Sequence, residues 1–251
     1  MVCREDSIAV FDSGVGGISV LRELVALMPQ ENFLYFGDSA NAPYGEKSTE
    51  EVRQLTLRHA ESLLNRGAKA LVVACNTATS AAIDCLRKQH PQAIIIGIEP
   101  ALKPAVEQFP GGNIGIMATQ VTLREEKLSH LQEQFPQARV ERIKAIGLVE
   151  AIEQGDNEKI HALLTQILAP YVGKLDALVL GCTHYPFVKK EISRILGEKT
   201  KLFDGGAGTA RQTRRCLMES DLLRAGQGSV TIENSLGTAE ILERSFHLLE
   251  G

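Results

Sequence analysis

Short β-branched runs alternate with longer amphipathic ones along this chain. Strand-length apolar runs occur at Ile8 to Phe11, Phe33 to Phe36, Ala70 to Ala74, Ile94 to Ile98, Ile114 to Met117, Ala177 to Leu180 and Val230 to Ile232. Between the second and third, Ser48 and Glu51 form a capping box, apolar residues recur at Val52, Leu55, Leu63 and Leu64, and Gly67 closes the segment. Those signals predict a helix. Similar spacing predicts helices over Ile18 to Met28, Ala78 to Lys88, Leu123 to Gln134, Glu158 to Tyr171 and Phe187 to Leu196. Near-continuous apolar strands separated by helices imply an α/β fold with mostly parallel sheets covered on both faces.

The pattern also repeats. Ala70-Leu71-Val72-Val73-Ala74-Cys75-Asn76-Thr77 resembles Ala177-Leu178-Val179-Leu180-Gly181-Cys182-Thr183-His184, and Ile8 to Ser13 resembles Ile114 to Thr119 at nearly the same offset. One short strand could match by chance, but two in register imply two related α/β halves. Each offers a cysteine at the C-terminal end of an equivalent strand, the edge where open α/β sheets bind ligands. The expected division is an N-terminal α/β domain of residues 1–98 with a C-terminal return of 206–251, and a second α/β domain of 99–205. The return is expected to hold a helix, a strand around Val230 and a terminal helix to Leu248.

Composition narrows the classes. With 44% hydrophobic and 23% charged residues among 251, disorder, collagen and coiled coil are poor readings. No apolar run approaches the roughly 20 residues of a membrane-spanning helix, and the charged start lacks a signal-peptide core. A cytoplasmic protein with no membrane partner is expected. A net charge of −4 gives no basic footprint, so nucleic acid is not expected as a primary partner. The five cysteines, Cys3, Cys75, Cys85, Cys182 and Cys216, are odd in number and show no Cys-x-x-Cys spacing. That argues against a disulfide framework or a zinc knuckle and leaves core filler or reactive thiol.

Cys75 follows a buried strand and precedes small polar residues suited to starting a helix. A helix N-terminus favours the thiolate, although a lone cysteine there is also an ordinary core residue. Its copy at Cys182 shifts the balance toward chemistry. His184, two residues on, could be a proton partner, a substrate ligand, a metal ligand or a satisfied structural histidine. Metal is the weakest of these, because no other His/Cys cluster appears. Asp12-Ser13-Gly14-Val15-Gly16-Gly17 follows the first strand, so backbone N–H groups could approach an anion. Its spacing is neither a dinucleotide fingerprint nor a P-loop. Gly37-Asp38-Ser39 and Pro43-Tyr44-Gly45 form a turn-rich loop after the second strand.

Taken together and in this order, Phe-Asp12-Ser13-Gly-x-Gly-Gly, Gly-Asp38-Ser39 with Pro43-Tyr44-Gly45, Ala-Cys75-Asn76-Thr77-Ala-Thr and Gly-Cys182-Thr183-His184-Tyr-Pro resemble the glutamate racemases of the aspartate/glutamate racemase superfamily. The resemblance runs from about Ile8 to the C-terminus. It implies two pseudo-symmetric α/β domains with the active site between them, and interconversion of L- and D-glutamate without pyridoxal phosphate, metal or other cofactor. It implies a role in supplying D-glutamate for peptidoglycan, hence cell wall and cell shape, and a homodimer. By the same resemblance Cys75 takes the α-proton from D-glutamate and Cys182 from L-glutamate, assisted by Asp12 and His184 respectively. Glu150 matches a further acidic residue. The stretch before it, Lys144-Ala145-Ile146-Gly147, departs from the family's Cys-Pro pattern, and Glu153 competes for the same assignment. Ser13, Pro43, Tyr44, Gly45, Asn76, Thr77, Thr119, Thr122 and Thr183 match substrate-lining positions, with Asp12, Cys75, Cys182 and His184 also touching substrate. A start only seven residues before the first strand lacks the longer extension of members activated by a cell-wall precursor, so no such activation is expected.

Other classes remain open on the residues alone. A cysteine hydrolase around Cys182 and His184 needs only one thiol, a binding protein on the same fold needs neither, and a related racemase could act on aspartate or a hydantoin.

Overall fold

The computed structural model describes residues 2–124 and 126–250. The chain divides into two compact units, Met1–Glu99 with Gly206–Gly251, and Pro100–Gly205. The first is built on strands β1 (Ile8–Asp12), β2 (Asn32–Gly37), β3 (Ala70–Val73) and β4 (Ile94–Gly97), and the second on β5 (Asn113–Ala118), β6 (Arg139–Lys144), β7 (Ala177–Gly181) and β8 (Lys201–Asp204). A last strand, β9 (Ser229–Asn234), returns to the first sheet. The orders are β4-β3-β1-β2-β9 and β6-β5-β7-β8, with every pairing parallel. The α/β reading with parallel sheets therefore holds. The repeat extends beyond the two matched strands, because β2-β1-β3-β4 and β6-β5-β7-β8 have the same order.

Helical crossovers explain why β1, β3 and β7 are buried along their whole length. In the first unit, Phe11, Leu71 and Val73 pack against the helices Thr49–Asn65 and Asn76–Gln89, through residues such as Leu63, Ala78 and Leu86. In the second, side chains alternate about β7. Leu178 and Leu180 join the face covered by Leu148–Gln154, Asn157–Leu168 and Lys189–Leu196, while Ala177 and Val179 join the face with Leu102–Gln108. The capping box at Ser48 forms as expected, with Glu51 N–H donating to Ser48 Oγ and Ser48 N–H to the Glu51 carboxylate.

Among the described residues, two strands and two helices have no counterpart in the sequence reading. β6 buries only Ile143 and β8 buries none of its residues fully; both are sheet edges, where charged residues are at home and apolar patterning is weak. The helices Leu102–Gln108 and Leu148–Gln154 are too short for periodicity to register. The predicted Glu158 to Tyr171 helix ends at Leu168, because Pro170 diverts the chain into a 3₁₀ turn. The Phe187 to Leu196 helix begins at Lys189, after a 3₁₀ turn containing Pro186. The predicted Leu123 to Gln134 helix corresponds to Gln120–Arg124 and Glu126–Glu133, with Glu125 outside the described residues.

The return is secured at both ends of the first sheet. β9 runs alongside β2 from Asn32↔Ser229 to Gly37↔Asn234. Just before β2 and β3 begin, a fully buried ion pair joins Lys69 Nζ to Glu31 at 2.5 Å. Lys69 Nζ also donates to the carbonyls of Arg4 and Leu222, and Glu31 accepts the Arg224 N–H at 2.8 Å. Among the described residues no helix is long and apolar enough to cross a membrane.

Candidate active site

The two cysteines lie at equivalent steps of the repeat, each within its own unit. The β1–β3 ladder pairs Phe11 with Val73, so Ser13 and Cys75 emerge side by side beyond the strand ends, with Ser13 Oγ 3.4 Å from Cys75 Sγ. Cys75 keeps extended backbone angles and caps the helix Asn76–Gln89, its sulfur accepting the Ala78 N–H at 3.4 Å. The sulfur thus meets the positive end of a helix, whose field favours negative charge there. Thr79 Oγ1 donates to the Val73 carbonyl, tying this first turn back onto the strand.

Asp12 ends β1 with its side chain fully buried and accepts the Gly14 N–H at 3.0 Å. The helix Ile18–Leu27 comes so close that a Cβ on Gly17 would lie 2.5 Å from Asp12 Cβ. Only glycine allows that approach. The loop after β2 is tied to Asp12 by the Asp38 N–H, which donates to the Asp12 carbonyl at 2.9 Å. Asp38 is buried and accepts from the Tyr44 hydroxyl at 2.7 Å, from the Asn41 amide at 3.0 Å and from His59 Nε2 at 3.0 Å. Burial pushes the Asp38 carboxyl up, but the bonds from His59, Tyr44 and Asn41, with the His59 charge, hold it well below the usual carboxylate range. Burial, the Asp38 bond and the charges of Asp38, Cys75 and Asp12 drive Tyr44 upward, so its hydroxyl stays a donor. Pro43 and Gly45 flank Tyr44 and are half-buried, with Pro43 following a cis peptide bond. Asn76 and Thr77 are buried beside Cys75, and Asn76 Oδ1 has no hydrogen-bond partner among the described residues.

In the second unit β5 and β7 pair Ala118 with Gly181, which places Thr119 and Cys182 at the positions that Ser13 and Cys75 hold in the first. Thr119 Oγ1 accepts the Thr122 N–H at 3.4 Å and donates to Thr122 Oγ1 at 3.1 Å. Cys182 Sγ lies 3.7 Å from His184 Nδ1, and His184 Nε2 lies 2.6 Å from Glu153 Oε1, with Cys182, Thr183 and His184 all buried. Burial alone would pull the imidazole down. The Cys182 and Glu153 bonds and charges outweigh it and hold His184 well above its ordinary value.

Of the two acidic residues on the helix Leu148–Gln154, Glu153 is the one that reaches the imidazole. Glu150 lies one turn back, half-buried, and bears on the site through its charge on Tyr185, whose hydroxyl burial and the Cys182 charge also drive upward. Residues three apart share a helix face, so the sequence offered both, and of the two Glu153 is the one hydrogen-bonded to His184. His59 lay outside every motif, and Asp38 was part of one without being given a role. Asp38 stood in the quoted loop, but nothing in the sequence linked it to His59 on a separate helix.

The arrangement is therefore Asp12, Ser13, Tyr44 and Cys75 in one cluster, and Cys182, His184 and Glu153 in the other. Each cluster offers a thiol that can carry a proton, supported by a hydroxyl and a helix amide in the first and by an imidazole–carboxylate pair in the second. Among the described residues no group of three or more His, Cys, Asp or Glu is placed to hold a metal ion.

The chain belongs to the Asp/Glu/hydantoin racemase family, whose model it matches over residues 10–213. A glutamate racemase of Clostridium acetobutylicum is 50% identical over 256 aligned positions that cover all of both chains. The crystal structure of the glutamate racemase from Thermus thermophilus in complex with β-chloro-D-alanine has a TM-score of 0.82 at 34% identity, covering 99% of this chain and 94% of that one. That of Francisella tularensis in complex with D-glutamate has a TM-score of 0.86 at 26% identity, covering 99% and 95%. Within the family the chain stands with the glutamate racemases, which are isomerases.

Proposed function

We propose that the chain interconverts L- and D-glutamate by moving the α-proton between two thiols, without a cofactor. The observation that carries this reading is the repeat, which puts one cysteine at the same step of each half. Inverting a stereocentre through a planar carbanion needs a base on one face and an acid on the other. One thiolate removes the proton, the other thiol delivers a new one, and each turnover exchanges their roles. Cys75 takes the proton from D-glutamate with Asp12 beside it in the chain's first cluster. Cys182 takes it from L-glutamate, assisted by His184 and, through it, by Glu153. Hydroxyls and backbone around Ser13, Pro43, Tyr44, Gly45, Thr77, Thr119, Thr122 and Thr183 supply neutral donors for a dicarboxylate. The buried Asn76 Oδ1 is an acceptor suited to the substrate ammonium. D-Glutamate made this way serves peptidoglycan synthesis, and the working form is a cytoplasmic homodimer.

Incubating each enantiomer in deuterated water, with no cofactor added, tests the reading. The expected result is deuterium at Cα and loss of optical rotation from both sides; absence of both overturns it. A second reading draws on the line of sulfur, imidazole and carboxylate at Cys182, His184 and Glu153, the order in which a cysteine hydrolase activates its nucleophile. It requires Cys75 to be dispensable, whereas the racemase requires that Cys75→Ala and Cys182→Ala each abolish racemisation.

A further inference from the structure

His59 belongs to neither proton-carrying cluster, yet it is built into the loop beside one of them. Its ring lies on the helix Thr49–Asn65, 5.6 Å from the centre of Phe11 and 5.0 Å from that of Phe36, so packing sets its orientation. An ionised carboxylate only accepts. The 3.0 Å contact to Asp38 Oδ2 therefore has His59 Nε2–H as the donor. The same oxygen takes the Tyr44 hydroxyl at 2.7 Å, and Asn41 bridges both oxygens at 3.0 Å. Asn41 closes the turn Ser39–Asn41 and Tyr44 opens the turn Tyr44–Glu46, so one carboxylate pins both turns of the loop. Through its own N–H, Asp38 also ties that loop to the end of β1 at Asp12.

We infer that His59 is a positioning residue, which acts through Asp38 to hold the Asp38 to Gly45 loop in the shape that receives substrate. The inference rests on the proposed racemase reading for its substrate and on the hydrogen-bond geometry for the rest. A group that shapes the binding loop without touching the thiols affects bound substrate and transition state alike, so its loss appears in KM rather than kcat.

The test compares His59→Leu, which fills the space between the phenylalanines without a donor, with His59→Gln, which keeps one. Steady-state racemisation of both enantiomers is measured together with hydrogen–deuterium exchange over residues 38–47 in the unliganded protein. His59→Leu is expected to raise KM for both enantiomers about tenfold at nearly unchanged kcat, as loss of one charge-assisted bond would. Faster exchange confined to the loop should accompany it, and His59→Gln should reverse both effects. Unchanged exchange over 38–47 in His59→Leu overturns the inference, as does an equal fall in kcat in both variants with exchange raised throughout the unit. A wild-type protein that fails to racemise glutamate, but whose loop loosens in His59→Leu and tightens in His59→Gln, overturns the racemase reading and leaves the positioning role standing.

Discussion

Cys75 and Cys182 occupy matching places but meet different partners, a hydroxyl and a helix amide for one and an imidazole for the other. His184 carries the consequence for pH. Its pKa is raised on folding above the ordinary 6.5, despite burial, by Cys182 and Glu153. A group raised in this way stabilises the fold fully below its unfolded value and loses that contribution as pH climbs through the folded value. Glu153→Gln is therefore expected to lower the melting temperature most between about pH 5 and 6.5, where carboxylate and imidazole are both charged, and by progressively less on the alkaline side, in thermal scans across pH. Its kcat is expected to fall about a hundredfold, the scale of a lost general acid–base contribution, while Glu150→Gln, which touches the site only by charge, keeps turnover within about threefold of wild type. The cysteines, Asp12 and His184 were legible as motif residues. The choice between Glu150 and Glu153 was not, because both fall on one face of a helix too short to show its own phase.

At the level of elements, the site depends on how closely helices approach strand ends. Gly17 begins the helix Ile18–Leu27 with helical angles that any residue can adopt, so it is kept for space and not for backbone freedom. Gly17→Ala would place a Cβ 2.5 Å from that of Asp12. The variant is expected to cost about 1–3 kcal/mol in urea unfolding, the range for overpacking. Its kcat should fall at least tenfold, because a displacement of about 1 Å near reacting groups is costly. The central strands β1, β3 and β7 were readable because burial on both faces leaves a continuous apolar run. β6 and β8 were hidden because edge strands carry charge, as in Arg139, Glu141 and Arg142. Their parallel ladders come from neighbours in the sheet and leave little mark on their own composition.

Across the molecule, the repeat makes the two-part architecture visible in the sequence, since Cys75 and Cys182 recur with their strands. The Lys69–Glu31 pair was invisible, because its meaning lies in contacts with Arg4, Leu222 and Arg224, far away along the chain. Removing one partner leaves the other charge buried. Lys69→Met is expected to destabilise the protein by about 3–5 kcal/mol in urea unfolding, and adding Glu31→Leu should restore part of the loss. The interrupted first unit also bears on how the protein is made. Its sheet is completed by β9, which is translated only after the whole of Pro100–Gly205. A nascent chain therefore leaves the ribosome with the β2 edge open while the second unit, continuous in sequence, can already close. Premature termination between Gly205 and Ser229 would release a product with a finished second unit and a bare, aggregation-prone strand in the first.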